Sequence, residues 1–454
     1  MTKLENYNNT IFESIKHTDE NGYEYWYARE LMVVLEYGQW RNFKKVIDKA
    51  KLSCDYSNNK VSYHFADVSK MVDIGVSERQ IEDYKLSRYA CYLIVQNADV
   101  RKEVVASIDE CRKAGIKVLM ITGDHPLTAF SIAKDLKLVT DYKEVTTGSE
   151  VDEYFNKGEK EFDEFVKNKI IFTRVTPLQK LEIVESLKRQ GEFVAVTGDG
   201  VNDAPALKSA NIGIAMGSGT DIARETANMI VIDDNFKSIV SGIKEGRVAY
   251  SNIRKIIFFL ISCGLAEVLF FCLSIIFDLP MPLVAIQLLW LNVVTDGIQD
   301  FALSFEKSEK NIMNEKPRDP KEPLFNKGLF EEIIVSGITI GLIVFIVWYY
   351  LNKIGMDVNI ARGYIMALMV FIQNVHVFNC RSEKKSAFTI PLNSNLLIVG
   401  GVICSVLLQI IVMEVPFMST FLQTSPIPIL DLIYLFGISI IVLIVMEIYK
   451  VIKK

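Results

Sequence analysis

Histidine is scarce in this chain, four in 454 residues, and the seven cysteines (Cys54, Cys91, Cys111, Cys263, Cys272, Cys380 and Cys404) are scattered without a Cys-x-x-Cys pair. That excludes a disulfide framework and gives no sign of a zinc site. No basic excess exists either: 50 lysines and arginines against 55 aspartates and glutamates leave a net charge of -5. The chain as a whole therefore carries no electrostatic footprint for nucleic acid, although a local patch is compatible with that balance. No internal repeat and no low-complexity tract is present. The stretch Met1 to Glu20 lacks the apolar core of a signal peptide, so the polar half is expected to stay in the cytoplasm.

What is abundant is apolar sequence, and it is unevenly placed. Half of the residues are hydrophobic and the mean hydropathy is +0.23, yet the chain reads as soluble up to about Asn252. From Ile256 onward come six apolar stretches, Ile256–Phe277, Pro282–Leu303, Ile333–Leu351, Tyr364–Phe378, Leu396–Met413 and Ile429–Ile448. Each is near the roughly 17 to 25 residues that a membrane-spanning helix needs. Basic residues gather before the first stretch (Arg254, Lys255), between the second and third, between the fourth and fifth, and at the end. That positive-inside pattern puts both termini in the cytoplasm of a multi-pass membrane protein, expected in a bacterial plasma membrane. The fourth stretch is the least apolar, with Gln373, Asn374 and His376, and needs packing partners in lipid.

Between Arg101 and Asp234 short β-branched runs alternate with amphipathic ones. Strands are expected at Lys117–Ile121, Ile170–Thr173, Phe193–Val196, Ile212–Ala215 and Met229–Ile232, and helices at Pro126–Leu136, Pro177–Gln190 and Ala204–Ala210. The alternation predicts a parallel α/β sheet of Rossmann type. Its chemistry belongs at the carboxyl ends of the strands, where Thr122-Gly123-Asp124 and Thr197-Gly198-Asp199-Gly200 fall. Residues 1–98 differ: they are aromatic-rich and mainly helical by pattern, with a turn expected at Asn21-Gly22.

The run Thr197-Gly198-Asp199-Gly200-Val201-Asn202-Asp203-Ala204-Pro205 leaves an apolar strand and opens a helix. Two carboxylates and an amide in one strand-end loop offer the all-oxygen ligands that Mg²⁺ takes, and glycines let backbone approach phosphate closely. This run resembles the hinge motif of P-type ATPases, whose catalytic domain has the haloacid-dehalogenase fold. The resemblance covers about residue 99 to the C-terminus. It implies ATP as substrate, Asp199 as the Mg²⁺ residue with Asn202 and Asp203 completing the site, and Thr122, Gly123 and Asp124 against phosphoryl group and nucleotide. Lys180, in Arg174-x-x-Pro177-x-x-Lys180, would compensate phosphoryl charge.

The apolar half holds a second constellation. Glu267 lies in the first stretch, and Asn292, Thr295, Asp296 and Asp300 in the second. Asn292, Asp296 and Asp300 are four apart, which would put them on one helix face. A carboxylate in a bilayer is costly and marks a functional site; for Asp300, nearer the cytoplasmic end, a hydrogen-bonding role is the more economical reading. Oxygen ligands suit a hard cation. The pattern is similar to calcium pumps of the sarcoplasmic-reticulum and secretory-pathway types, and implies Glu267, Asn292, Thr295 and Asp296 as Ca²⁺ ligands. Gly264 and Gln373 stand where two-site pumps have asparagine and glutamate, which implies one transported ion.

The family's phosphorylation motif Asp-Lys-Thr-Gly-Thr is absent, so no phosphorylated aspartate is assigned. So are the actuator segment and the nucleotide-binding insertion, and the absent strand is the central one of the family's sheet. Residues 1–98, through Asn21-Gly22-Tyr23-Glu24-Tyr25-Trp26-Tyr27-Ala28-Arg29-Glu30-Leu31, Trp40-Arg41-Asn42-Phe43 and Tyr84-Lys85-Leu86-Ser87-Arg88-Tyr89-Ala90, resemble the BRO-type N-terminal domain of DNA-damage-inducible protein D. The junction Asp99-Val100-Arg101-Lys102-Glu103-Val104 is similar to runs in both families, so a gene fusion or assembly splice there would be nearly seamless. Three domains are expected: 1–98, an incomplete haloacid-dehalogenase-like domain over 99–253, and a six-helix transmembrane domain over 254–454. Two functions compete. One is ATP-driven cation transport, inactive alone or completed by a separate chain; the other is a membrane-tethered DNA-binding regulator, for which Arg41, Lys44, Lys45, Lys49 and Lys51 form a basic stretch that a solvated helix face explains equally well.

Overall fold

The computed structural model describes residues 12–35, 37, 39–57, 59–73, 78–96, 102–308, 312–319, 321–383 and 385–453. The junction residues Asp99 to Arg101 lie outside them. The chain divides into two compact units: residues up to Asp109 with Lys117–Ser238, and Glu110–Ile116 with Ile239–Lys454.

The first unit begins with a hairpin of β1 (Lys16–Thr18) and β2 (Glu24–Tyr27). Asp19 makes its turn by accepting from the Asn21 and Tyr23 amides, and Gly22 takes the left-handed φ of +85° that a side chain resists. Helices α1 (Ala28–Val34), α2 (Trp40–Tyr56) and α3 (Arg88–Gln96) flank a long antiparallel ladder of β3 (Phe65–Asp73) and β4 (Glu78–Leu86). The sheet order is β1-β2-β4-β3. On α2 the apolar face Phe43, Val46, Ile47, Ala50 and Cys54 is buried, meeting Trp26, Leu31, Leu86 and Ile94 in one core. The expectation of a mainly helical domain is thus corrected to a mixed α/β one. Strands β3 and β4 are rich in Asp, Glu, Lys and Arg, which mask the β-branched signal by which strands are read.

The rest of the first unit is parallel α/β. Strands β5 (Met120–Ile121), β6 (Val145–Thr147), β7 (Ile171–Thr173), β8 (Ala195–Gly198), β9 (Ile212–Met216) and β10 (Met229–Val231) alternate with α4 (Pro126–Asp135), α5 (Pro177–Arg189) and α6 (Ala204–Ser209) among others. Each expected strand and helix is present, with shifted ends; β6 was not foreseen, being only three residues of Val-Thr-Thr. Helix α5 starts where Thr176 and Gln179 cap one another: Gln179 N–H donates to Thr176 Oγ1 and Thr176 N–H to Gln179 Oε1, with Pro177 at the first position. The strands do not form one sheet. They form two, β5-β7-β6 and β8-β9-β10, with no ladder between them among the described residues.

In the second unit α7 (Phe236–Ile276), α10 (Lys327–Lys353), α11 (Val358–Cys380), α12 (Leu396–Glu414) and α13 (Ile429–Lys453) are long and apolar enough to cross a membrane. The second apolar stretch is instead broken into α8 (Ala285–Val294) and α9 (Asp296–Ser304). The expected six continuous helices are therefore five, plus one interrupted pair. The weakly apolar fourth span is α11, whose mean hydropathy of 1.3 is offset by burial of 83% of its window inside the unit. Its polar residues thus face protein, which is how polar side chains are tolerated at this depth.

Candidate functional site

In the first unit the Thr197–Asp203 loop turns tightly at the end of β8. The Asp203 carboxylate braces it: Oδ2 accepts from the backbone N–H groups of Asp199 (3.2 Å) and Gly200 (3.1 Å). Gly198 has no alternative there, since a Cβ would lie 2.5 Å from that of Asp203. The other oxygen, Oδ1, receives Lys180 Nζ at 2.6 Å from α5. Burial works against the Asp203 charge, but Lys180 and the two amides outweigh it and hold the carboxyl below its ordinary range. Lys180, deduced from a motif alone, is in this way delivered to the loop by a specific bond.

Asp199 is placed differently. Its carbonyl accepts from Thr220 N–H at 2.7 Å, which fixes the backbone, and its side chain is exposed. Asn202 is exposed as well. With Asp203 engaged elsewhere, Asp199 is the free carboxylate of the loop. One carboxylate supplemented by phosphate oxygens and water is a donor set that fits Mg²⁺, which dehydrates reluctantly. Among the described residues no group of three or more His, Cys, Asp or Glu is positioned to hold a metal.

Thr122 directly follows the edge strand β5. Its N–H donates to Phe172 O at 2.9 Å, its Oγ1 accepts from Asp124 N–H at 3.1 Å, and Gly123 and Asp124 are exposed. Among the described residues no hydrogen bond or ion pair joins Thr122, Gly123 or Asp124 to Asp199, Lys180 or Asp203. Arg174 is exposed in the turn from β7 to α5 with a φ of 51°, a left-handed conformation uncommon for a side-chain-bearing residue.

In the second unit the helix break falls at Thr295, whose ψ of -68° and φ of -105° separate α8 from α9. Thr295 Oγ1 donates back to Leu291 O at 2.7 Å. The four-residue spacing from Asn292 to Asp296 therefore does not place them on one continuous helix face; Asn292 is exposed and Asp296 half-buried. An interrupted helix at membrane depth frees backbone groups for ions, as in discontinuous transporter helices. Glu267 on α7 accepts a long hydrogen bond from Gln373 Nε2 of α11, 3.5 Å. Gly264 has open space around it.

A polar chain not foreseen runs beside this site. Gln299 Nε2 donates to Asn374 Oδ1 (2.7 Å), and Asn374 Nδ2 to Ser405 Oγ (2.8 Å); Trp290 Nε1 donates to Gln409 Oε1 (3.0 Å). Ser405 and Gln409 are four apart on α12, a spacing the sequence does display. Among the described residues, Gln299 Oε1, Asp300 Oδ1 and Gln373 Oε1 are buried acceptors with no hydrogen-bond donor.

The basic stretch of residues 41–51 is partly neutralised within the unit. Lys44 pairs with Glu82 at 2.7 Å, Lys49 with Asp135 at 3.7 Å and Lys51 with Asp67 at 3.6 Å, while Lys51 also lies over the Tyr84 ring.

Two family models match: cation transporting ATPase, C-terminus, over residues 280–452, and haloacid dehalogenase-like hydrolase over residues 22–211. The second range starts inside the antiparallel sheet, whose strands belong to neither parallel sheet. The chain is 41% identical over 343 residues to a calcium-transporting ATPase of Bacillus subtilis, covering 75% of this chain and 38% of that protein. It is 38% identical over 371 residues to calcium-transporting ATPase 1 of Bacillus cereus, covering 78% and 41%. Calcium-transporting ATPase type 2C member 1 of Pongo abelii is 36% identical over 345 residues, covering 75% and 37%. The chain thus spans about two fifths of the length of the relatives it matches.

Proposed function

We propose that the chain is the hinge-bearing and ion-carrying portion of an ATP-driven cation pump of the P type, with Ca²⁺ as its ion and a separate chain supplying the rest. The observation that carries this reading is the Lys180–Asp203 bond. It unites the two halves of the phosphoryl-handling motif from different elements, α5 and the loop after β8, and leaves Asp199 exposed for Mg²⁺. Pre-positioned charge of this kind stabilises a transferring phosphoryl group. In the second unit Glu267, Thr295, Asp296 and Gln373 supply oxygen around an interrupted helix, with Asn292 and Asp300 flanking it. The relatives' names, calcium-transporting ATPases, support the choice of ion. Internal pairing of Lys44, Lys49 and Lys51 weighs against the rival DNA-binding reading of residues 1–98.

The test is co-expression with the N-terminal portion of the Bacillus subtilis relative, up to and including its phosphorylation motif, followed by ATP-dependent ⁴⁵Ca²⁺ uptake into inverted vesicles. Uptake above that of either part alone is expected. Uptake equal to the vesicle background, with both parts present in the membrane, would refute the transport reading.

A further inference from the structure

The break at Thr295 leaves α9 a separate helix of nine residues, with Asp296 in its first turn. A helix that short depends on tertiary packing for its placement. Whatever fixes α9 therefore also fixes the carboxylate assigned to the ion.

The fixing contacts gather at the end of α9 away from the break, where the last carbonyls of a helix lack partners within it. Side chains from three other elements meet there. Asn252 Nδ2 of α7 donates to Ser304 O at 3.1 Å and to Glu306 O at 2.8 Å. Asn395, the N-cap of α12, donates its Nδ2 to Ala302 O and to Glu306 Oε2, both at 2.9 Å. Arg381, at the C-cap of α11, donates Nη2 to Glu306 Oε1 at 2.9 Å and Nε to the same carboxylate at 3.2 and 3.3 Å. The Arg381 guanidinium is held in turn by Pro391 O and Ser394 Oγ. Nearer the break, α12 leaves α9 no room to shift towards it: a Cβ on Gly401 would stand 2.9 Å from Ile298 Cγ2.

Asn252, Glu306, Arg381 and Asn395 are at most 5% exposed. A buried ion pair adds little net stability over a neutral pair of similar size, and its best-attested use is to select one arrangement of the elements that it joins. We propose that Glu306 and Arg381, with Asn395, are positioning residues for the transported cation, setting the height and rotation of α9 and through them the placement of Asp296. This rests on the transport reading, which makes Asp296 a ligand. From Asp296 to Ser304 the helix rises about 12 Å, so Glu306 acts through α9 and not on the ion.

The test is the Ca²⁺ dependence of ATP-driven uptake in the co-expressed pair, read as half-saturating concentration and maximal rate. Removing one partner of a buried pair strands the other and can unfold the unit, so the informative variant is Glu306→Gln with Arg381→Met, which removes both charges together. Half-saturating Ca²⁺ is expected to rise by roughly tenfold, with the maximal rate within about twofold of the parent. A merely structural role would lower the amount of protein and the maximal rate and leave half-saturation where it was. A second measurement needs no transport: in the chain alone, in detergent without Ca²⁺, amide exchange in α9 should quicken by roughly tenfold in the double variant, with α10 and α13 as in the parent. Parental half-saturation in the variant, or parental exchange in α9, would overturn the proposal. A parent pair that moves no Ca²⁺ would sink the transport reading and the proposal with it, whereas an active parent with an unshifted variant sinks the proposal alone.

Discussion

Removing the Asp203 carboxylate is the most informative local perturbation. It accepts three hydrogen bonds, from Lys180 Nζ and from the Asp199 and Gly200 amides, and the side chains of the Lys180 pair are 18% and 14% exposed. A net bond to a charged group contributes about 1.5–3 kcal/mol and a neutral one about 1, and stranding partly solvated donors costs less than stranding buried ones. Asp203→Ala should therefore loosen the Thr197–Ala206 loop by about 2–3 kcal/mol. That corresponds to amide exchange in the loop faster by roughly thirty- to a hundred-and-fiftyfold. Asp203→Asn keeps an acceptor for the amides and loses the ion pair, so about half of the effect is expected. The pH dependence has a definite sign. A folded carboxyl held below its unfolded value contributes stability that is complete above the unfolded value, about 4, and disappears as pH falls through the folded one. Loop exchange corrected for its intrinsic pH dependence should be flat from pH 7 to 5 in the parent and rise only in more acidic buffer, and Asp203→Asn should remove that rise. Equal loop exchange in parent and Asp203→Ala would refute the brace.

In the co-expressed pump, Asp296→Asn should abolish Ca²⁺-dependent uptake, because a desolvated cation is held by charge and oxygen count; Asp300→Asn should be milder, and equal tolerance of both in the ⁴⁵Ca²⁺ assay would place the path elsewhere. Asn374→Ala removes the centre of the Gln299–Asn374–Ser405 chain and should destabilise the second unit by about 1–2 kcal/mol, read as a lower melting midpoint in detergent, and Asn374→Asp, which loses the donor to Val370 O and Ser405 Oγ and buries a carboxyl, should be no milder.

Strand–helix alternation made the parallel α/β elements legible down to β7 and α5, because apolar runs of a few residues between Gly and Pro punctuation leave little choice. The loop after β8 was legible for the same reason, its glycines and Asp203 being required by a close approach that only Gly198 permits. The charged ladder Phe65–Leu86 was not, since its signal lies in cross-strand pairing between residues remote in sequence. Nor was the division of labour between Asp199 and Asp203: two aspartates in one loop look alike until one is seen to accept from Lys180 and the loop amides. The break at Thr295 likewise lies in backbone angles, and periodicity across it predicted a helix face that does not exist. Gln299, Asn374 and Ser405 sit on three different spans, and a polar residue in a span announces that it needs a partner without naming which.

If this chain holds the phosphoryl-handling residues and the ion ligands but no phosphoryl acceptor, acid-quenched labelling with γ-³²P-ATP and Ca²⁺ will show it, comparing the purified chain alone with the chain co-purified with the complementary portion of the Bacillus subtilis relative. No acid-stable phosphoenzyme is expected on this chain in either case, and a Ca²⁺-dependent one is expected on the complementary portion that Lys180→Ala in this chain reduces. A phosphorylated band at 51.5 kDa from the chain alone would contradict it.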